Sequence, residues 1–547
     1  MSRSGTLLPN CAGNAINAPR LSSGKSPGAA APHILWDSDP MNRFVAAVVV
    51  LLVAWAPLAV RAADKLAPSG PPLPAKVETQ HTITLDGRQL DYRAIAETFA
   101  LTNSKGATTA SIYTVAYLAD VPAGTPRPVA FVFNGGPGAA SVYLHLGAIG
   151  PRILQTPGDG ALPSPPYHLI DNQSSWLAFT DLVFVDPVGT GFSRAVASGD
   201  GAKDGNPEKP FWNVRGDLGS LASVVRLWLT RHDRWPSPVY VVGESYGGYR
   251  AAALSQTLMS QVGVTVNGVV MISPALDYSL LRGGVANVLA DAFELPSYAA
   301  TAAALSGKPA PPDDLAKVER FALGGYLTGI VGVTGVPPVG DPFIDRVAKT
   351  IGLDDDTVRR QRGRVSSEVF VHTLRRSQNQ LLSLYDGTVT RATRGNAWED
   401  NGGDPVLVPA TAAFTAAFNA YASDVLGYRT ELPYKVLPHD VSQNWNWEGA
   451  GGGDGGLGLA LSSLERTLLA HPETKVLVVN GRTDLVTPYL ASRWLIDQLS
   501  IPASARADIR LLVLPGGHMM YLRHDSRAAL AKAAAALFAS GGGAPPH

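Results

Sequence analysis

Two patterns of hydrophobic and polar positions divide the chain. Between residues 80 and about 118, β-branched and aromatic residues alternate with polar ones, as in "HTITL" and "ASIYTVAYLA". A period of two is typical of strands that bury one face, and it predicts an antiparallel meander. Later apolar runs do not alternate and end in Gly, Asn, Asp, Ser or Pro: "PVAFVFNGG", "DLVFVDPVGTG", "VYVVGES", "GVVMISP", "KVLVVNG" and "IRLLVLPGG". Such runs predict strands buried on both faces in a mainly parallel sheet.

Helical periodicity fills the intervals between these runs. It predicts helices over 212–231, 247–261, 488–499 and 525–540. Alternating strands and helices indicate an α/β fold with a central, mostly parallel sheet flanked by helices. In such a sheet, active residues gather at the carboxyl ends of the strands.

Residues 281–455 break this rhythm. They contain Ala-rich helical segments such as "FIDRVAKTIG" and "EVFVHTLRR", Pro pairs and loops, but no comparable buried strand. The Gly-rich stretch 449–458 then leads back to the strand pattern. We therefore predict that 281–455 is a largely helical lid insertion, and that the core comprises 80–280 and 456–547.

The N-terminal part of the chain predicts a targeting signal. Residues 1–40 resemble an unstructured leader, and 41–62 combine a short basic start, an apolar run and small residues near Ala62. This pattern predicts a signal peptide cleaved near Ala62, followed by a Pro/Ala-rich linker over 63–79. The apolar run is shorter than the ~20 residues that span a bilayer, although an uncleaved anchor is the alternative. Translation from Met41 would remove the leader from the protein.

Charge and cysteine content exclude several classes of protein. Lys+Arg and Asp+Glu balance at 45 each, which argues against a nucleic-acid binder because that function needs a basic surface. The single cysteine, Cys11, permits neither an intramolecular disulfide nor a cysteine metal site. Together with the signal, this composition favours a secreted or periplasmic bacterial protein. It does not indicate the oligomeric state.

Three residues at strand ends form a candidate nucleophilic triad. Ser245 lies in Gly-Glu-Ser-Tyr-Gly between a predicted strand and a predicted helix, as in a nucleophile elbow. A serine hydroxyl needs a base, and His518 follows the strand "IRLLVL". Asp484 follows "KVLVVNG" and is placed to orient that histidine. The glycine-rich loop after "FVF" predicts an oxyanion hole made by the backbone N–H groups of Gly136 and Tyr246.

Five motifs together resemble the serine carboxypeptidases of the α/β-hydrolase superfamily. They are "FNGGPGAAS", "VDPVGTGFS", "GESYGGY", "NGRTDLVTP" and "GGHMMY". The resemblance covers roughly residues 80–540. It implies an α/β-hydrolase fold and a peptide substrate. It also implies release of C-terminal residues through an acyl-enzyme, with no metal or organic cofactor.

The resemblance also assigns residues to substrate recognition. In the family, the Glu before the nucleophile and the Asn of Asn-Gly-Gly-Pro-Gly bind the substrate's C-terminal carboxylate, and these roles fall to Glu244 and Asn134. A protonated Glu244 could donate to that carboxylate, whereas an ionised one would repel it. Met519 would shape the pocket for the leaving residue. A structural hydrogen-bonding role for Glu244 and a turn-forming role for Asn134 are the alternatives.

The sequence departs from the family at two positions of the carboxylate-binding network. Many members have Trp where this chain has Val132, and a second Glu where it has Ala148. Arg152 or Arg250 could supply a replacement cation, although a surface or structural role is the simpler interpretation of each. Three hypotheses follow: a serine carboxypeptidase, a serine esterase, acyl-transfer enzyme or other peptidase with the same triad, and a non-catalytic binding protein. The complete triad argues against the last.

Overall fold

We describe the protein from a computed structural model. The described residues are 73–122, 127–196, 205–281, 284, 286–395, 397–399, 402–448 and 458–541. Several predicted features lie outside them, namely the leader 1–40 with Cys11, the signal peptide 41–62, the first part of the linker 63–79 and nearly all of the Gly-rich stretch 449–458. Among the helices that are described, none combines the length and apolar character needed to cross a membrane.

The chain alternates strands and helices through most of its length. The strands are β1 Lys76–Leu85, β2 Arg88–Thr102, β3 Thr108–Ala119, β4 Val129–Phe133, β5 Arg152–Leu154, β6 Leu169–Asp171, β7 Asp181–Val185, β8 Arg194–Ala195, β9 Val239–Glu244, β10 Gly268–Ile272, β11 Gln380–Leu382, β12 Thr390–Ala392, β13 Lys475–Gly481 and β14 Ile509–Leu514. The helices are α1 Val142–Leu144, α2 Val214–Arg231, α3 Tyr246–Thr257, α4 Val288–Leu305, α5 Pro312–Phe321, α6 Leu327–Gly332, α7 Pro342–Ile351, α8 Asp355–Arg360, α9 Ser367–Thr373, α10 Leu407–Asp424, α11 His439–Gln443, α12 Leu459–Ala470, α13 Tyr489–Asp497, α14 Ala503–Ala507 and α15 His524–Ser540.

One large sheet organises the molecule. Its strand order is β1-β2-β3-β7-β4-β9-β10-β13-β14, with β8 paired to β3. The pairs β1–β2, β2–β3 and β3–β7 are antiparallel, and the strands from β7 onward in this order form a parallel series. The predicted meander and the predicted parallel strands are therefore confirmed. β1 begins at Lys76, inside the range predicted as linker, so the end of that linker was predicted too late.

The inner parallel strands are buried on both faces, as their lack of alternation predicts. The prediction is wrong for β14, where Arg510 and Leu511 are exposed because this strand forms the edge of the sheet. In β4, Ala130 and Val132 pack on one side of the sheet, whereas Val129, Phe131 and Phe133 pack on the other. Helices α10 and α15 contribute to the first core, and α2, α3 and α12 contribute to the second. Because the strands are parallel and covered, their carboxyl ends form one edge where loops can carry chemistry.

The segment predicted as a lid consists of two differently packed parts. Helices α4 to α9 enclose a separate hydrophobic core, which reaches the main body through Leu485, Tyr489 and Leu490. Helix α10 and the following stretch instead join the core of the sheet, through residues such as Phe414, Phe418 and Tyr434. The second part is therefore an integral layer of the molecule rather than a separate cover.

A buried ion pair connects the two helices that flank β9. Arg250 on α3 is fully buried and donates to both carboxylate oxygens of Asp217 on α2, at 2.7 and 3.2 Å. Burial raises the pKa of Asp217, and the adjacent guanidinium opposes that rise. Arg250 also donates to the backbone oxygen of Asn134. The pair therefore joins α2, α3 and the loop after β4.

We expect Asp217→Asn to destabilise the protein by about 3–5 kcal/mol, because it leaves a buried guanidinium that cannot lose its proton. The matched control is Asp171→Asn, which breaks a pair with Arg152 whose side chains are 41% and 39% exposed. We expect Asp171→Asn to lower the free energy of unfolding by about 0–1 kcal/mol. Urea unfolding followed by circular dichroism measures both free energies. Equal costs for the two variants would contradict a special role for the buried pair.

Candidate active site

Ser245 lies at the turn between β9 and α3, in a backbone conformation that side-chain-bearing residues rarely adopt. Its φ is 60° and its ψ is −124°. The flanking glycines permit the turn because a Cβ on Gly243 would lie 1.8 Å from the Gly247 oxygen. A Cβ on Gly247 would lie 2.4 Å from the Phe133 oxygen. This is the geometry of a nucleophile elbow, which presents a serine above the sheet edge.

The glycine-rich loop after β4 packs directly against this turn. A Cβ on Gly135 would lie 2.5 Å from the Tyr246 nitrogen and 2.8 Å from Ser245 Cβ. Gly136 follows with a φ of 100°, a conformation that glycine adopts without strain. Tyr246 is the first residue of α3, so helix geometry provides no acceptor for its N–H. The two predicted oxyanion donors, Gly136 and Tyr246, are thus adjacent to Ser245.

Asp484 and His518 form a buried hydrogen-bonded pair on neighbouring strand ends. His518 Nδ1 lies 2.9 Å from Asp484 Oδ2. The carboxylate also accepts the backbone N–H groups of Val486 and Thr487, at 2.8 and 2.9 Å, and Thr487 Oγ1 at 2.6 Å. Because Nδ1 faces Asp484, Nε2 is the nitrogen left to act on a serine.

The electrostatic surroundings of His518 favour its protonated form. Burial alone would lower its pKa, but the charge and hydrogen bond of Asp484 and the charge of Glu244 outweigh it, so the pKa is raised above its usual value. A histidine whose cation is stabilised can hold a proton taken from a serine hydroxyl.

Glu244 is buried beside Ser245 and has two side-chain donors. Tyr521 Oη donates to Oε1 at 2.9 Å and lies 3.0 Å from Oε2. The Asn134 amide donates to Oε2, while its own oxygen accepts the Leu144 N–H at 2.9 Å. Burial raises the pKa of Glu244 to about 7, although His518, Tyr521 and Asn134 each oppose the rise. Glu244 is therefore neutral in mild acid and ionised at alkaline pH.

One cavity brings the predicted site residues together. Its walls include Asn134, Gly136, Glu244, Ser245, His518 and Met519. Asp484 lies behind His518, fully buried. Four further lining residues come from the segment predicted as a lid: Leu281, Tyr385, Leu407 and Leu437. Most of the remaining lining is apolar, so a substrate would meet few charges besides Glu244 and His518.

The loop 383–388 is a part of the site that the sequence analysis missed. The backbone oxygen of Tyr385 accepts the backbone N–H of His518 at 2.5 Å. The Tyr385 ring contacts the His518 ring edge-on, with 5.1 Å between the ring centroids. Asp386 accepts Thr483 Oγ1 at 2.8 Å and Arg523 Nη2 at 2.9 Å. The loop therefore joins the segment that carries Asp484 to the segment that carries His518. No spacing or motif in the sequence indicates these contacts.

Neither candidate replacement cation reaches the cavity. Arg250 is occupied by Asp217, and Arg152 by Asp171 at 2.7 Å. Val132 and Ala148 are buried in the core, so they supply no polar group to the site. Within the described part of the chain, no cluster of three or more His, Cys, Asp or Glu side chains could hold a metal ion.

Comparisons with known proteins identify a relationship through the first half of the core. The serine carboxypeptidase family matches residues 113–280. Serine carboxypeptidase-like 25 of Arabidopsis thaliana is 31% identical over 137 residues, which is 24% of this chain and 26% of that protein. Pheromone-processing carboxypeptidase KEX1 of Arthroderma otae is 30% identical over 137 residues, which is 23% of this chain and 18% of that protein. The matches thus span less than a third of these relatives.

Solved structures of other proteins overlap with a larger share of the chain. The prohormone-processing carboxypeptidase Kex1(delta)p from Saccharomyces cerevisiae is 15% identical, with 82% of this chain and 91% of that chain covered and a TM-score of 0.46. A proline iminopeptidase from Mycobacterium smegmatis is 14% identical, with 82% and 98% covered and a TM-score of 0.33. The assignment of an α/β-hydrolase fold rests on the strand order and the elbow described above.

The family match spans the strands and loops that carry Asn134, Glu244 and Ser245. Through this segment, which is less than a third of its length, the chain is similar to the serine carboxypeptidase family.

Proposed function

We propose that the protein is a serine carboxypeptidase that releases C-terminal residues from peptides. The observation that carries this proposal is the pairing of a nucleophile elbow at Ser245 with a buried Glu244–Asn134 pair in the same cavity. The first feature supports acyl transfer, and the second supports recognition of a free carboxylate beside the reacting carbonyl.

The proposed reaction uses the triad in two steps. Ser245 Oγ attacks the scissile carbonyl carbon while His518 Nε2 takes its proton, and Asp484 stabilises the resulting imidazolium. The N–H groups of Gly136 and Tyr246 hold the oxyanion. His518 then gives the proton to the leaving amine, the C–N bond breaks, and an acyl-enzyme remains. Water activated by His518 hydrolyses that ester and regenerates Ser245.

Recognition of the C-terminal carboxylate is proposed for the neutral form of Glu244. A protonated carboxyl can donate to the substrate carboxylate, whereas an ionised one repels it, and the repulsion is strong because Glu244 is buried. Since burial raises the pKa of Glu244 to about 7, recognition is present below that pH and is lost as the pH rises through it.

The first test compares a blocked dipeptide with its C-terminal amide across about pH 4 to 8. We expect selective cleavage of the free acid, with a preference that fades toward alkaline pH. Ser245→Ala should abolish turnover of both substrates and labelling by a fluorophosphonate, while leaving the fold intact.

Equal cleavage of acid and amide at every pH would instead favour a serine esterase, acyl-transfer enzyme or other peptidase with the same triad. The apolar, buried Val132 and Ala148 motivate that alternative because they remove polar groups that the family uses for the carboxylate. Full turnover by Ser245→Ala would refute both functions. A wild-type protein that neither cleaves these substrates nor is labelled by a fluorophosphonate would instead be a binding protein.

A second expectation concerns the loop 383–388. Asp386→Ala removes the acceptor shared by Thr483 and Arg523, so the segments that carry Asp484 and His518 lose a common anchor. We expect kcat to fall about tenfold to a hundredfold for acid and amide substrates alike, with KM nearly unchanged, because misplacement of catalytic groups slows the chemical step.

The matched control is Asp354→Ala, which removes only the N-terminal cap of α8 within the same insertion. It should cost about 1 kcal/mol of stability without changing kcat. If Asp386→Ala lowered stability but left kcat at the wild-type value, the loop would have no positioning role.

Export through the predicted signal 41–62 is also a proposal. It is supported by the sequence pattern alone. N-terminal sequencing of the protein recovered from the producing cells would show whether cleavage occurs near Ala62.

A further inference from the structure

Tyr521 contacts Glu244 from the side away from the cavity. Its side chain is fully buried, and its hydroxyl lies within 3.0 Å of both oxygens of the Glu244 carboxyl group. Tyr521 does not line the cavity, whereas Glu244 does. A substrate would therefore meet Glu244 but not the phenol behind it.

The ring of Tyr521 is held in place by the segment that carries Ala148. A Cβ on Gly147 would lie 2.9 Å from Tyr521 Cε2, so the backbone there approaches the ring closely. Arg527 Nη1 donates to the Tyr521 backbone oxygen at 3.1 Å, which anchors the main chain of that residue. Because the ring packs against the Gly147 backbone and its own main chain is anchored, the hydroxyl has little freedom to leave Glu244.

We propose that Tyr521 is a positioning residue that sets the pH range over which Glu244 recognises a substrate carboxylate, by donating its hydrogen bond to the ionised form of that side chain. This inference rests on the proposed function, because it concerns recognition at the same site.

The groups around Glu244 act in opposite directions. Burial disfavours its charge most strongly, and Asp484 adds a smaller repulsion. His518, Tyr521 and Asn134 favour the ionised form. Tyr143 and Tyr385 also lie near enough to interact with Glu244, but both have pKa values raised by burial and stay neutral.

A second carboxyl group beside Glu244 would titrate in the same pH range as Glu244. The Tyr521 phenol does not titrate in that range. Burial keeps its pKa well above the usual value. It is therefore a donor throughout, and Glu244 binds or releases its proton without a partner carboxyl that shares it. Removing the hydroxyl should favour the neutral form of Glu244 and extend carboxylate recognition to higher pH.

The test measures kcat/KM for a blocked dipeptide acid and for its amide, and takes their ratio at each pH. Titration of His518 changes kcat/KM for both substrates and largely cancels in the ratio. The ratio therefore reports the protonation state of Glu244. We expect Tyr521→Phe to move the midpoint of the ratio upward by about one pH unit, the size given by loss of one hydrogen bond to a charged group. Glu244→Gln should make the ratio nearly independent of pH.

The matched control is Tyr240→Phe. Tyr240 is another buried tyrosine, on β9, and its hydroxyl donates to the Phe538 backbone oxygen at 3.3 Å, away from the cavity. The pH midpoint of the acid-to-amide ratio for Tyr240→Phe should equal that of the wild type. If Tyr521→Phe lowered both kcat/KM values and left the midpoint unchanged, Tyr521 would be merely structural and the inference would be overturned.

A second variant covers the case in which Tyr521→Phe does not fold. Site-specific replacement of Tyr521 by a monofluorotyrosine keeps the shape and makes the hydroxyl a stronger donor, so the midpoint should move to lower pH. An unchanged or higher midpoint would overturn the inference. A wild-type ratio near one at every pH would instead refute carboxylate recognition itself, which separates failure of the proposed function from failure of this inference.

Discussion

The site depends on the close approach of two backbones, the turn after β9 and the loop after β4. Gly135 lies against Ser245 and Tyr246, and Gly247 lies against the Phe133 oxygen, at separations that leave no space for a side chain. Because both strands are adjacent and parallel in the sheet, this contact fixes the proposed nucleophile and the two proposed oxyanion donors relative to one another. Substitution at either glycine would force one backbone away from the other. The positive φ of Ser245 is maintained by the same contact.

The buried polar side chains around this contact are mutually dependent. Arg250 holds Asp217 and the Asn134 oxygen, Asn134 donates to Glu244, and Glu244 accepts from Tyr521. A buried polar group without a partner costs about 1–3 kcal/mol, so each member restricts the conformations open to the next. The network extends from α2 to the segment after His518. Rigidity at the end of the cavity formed by Asn134 and Glu244 therefore derives from the core of the fold.

Much of the fold could be predicted because burial on both faces leaves a clear pattern in sequence. The continuous apolar runs correspond to β4, β7, β9, β10, β13 and β14, and polar residues at their ends identify the candidate active edge. The run of β14 does not show that this strand is a partly exposed edge. β1 was partly missed because an edge strand with alternate exposed residues, such as Lys76 and Glu78, resembles a polar linker. The loop 383–388 could not be predicted, since its role rests on contacts between segments about a hundred residues apart.

The packing of the insertion also could not be predicted from local sequence patterns. Helix α10 is rich in Ala and Phe, which identifies an apolar helix but not the surface that it covers. In the structure its residues Ala413, Phe414 and Phe418 belong to the core of the sheet, whereas α4 to α9 surround another core. The core that a helix joins depends on the loops that precede the helix. Sequence periodicity does not identify that core.

On the proposed function, adjacency along β9 explains why cleavage would occur at the C-terminal end of the peptide. Glu244 and Ser245 are consecutive, so the group that reads the carboxylate and the group that attacks the carbonyl are separated by one peptide unit, about 3.8 Å between Cα atoms. Both side chains line one cavity with Asn134 and Gly136. A substrate carboxylate held at Glu244 and Asn134 would therefore keep the carbonyl that Ser245 attacks close to the C-terminus of the peptide. The same strand end would thus determine both where the nucleophile lies and which end of the peptide is cleaved.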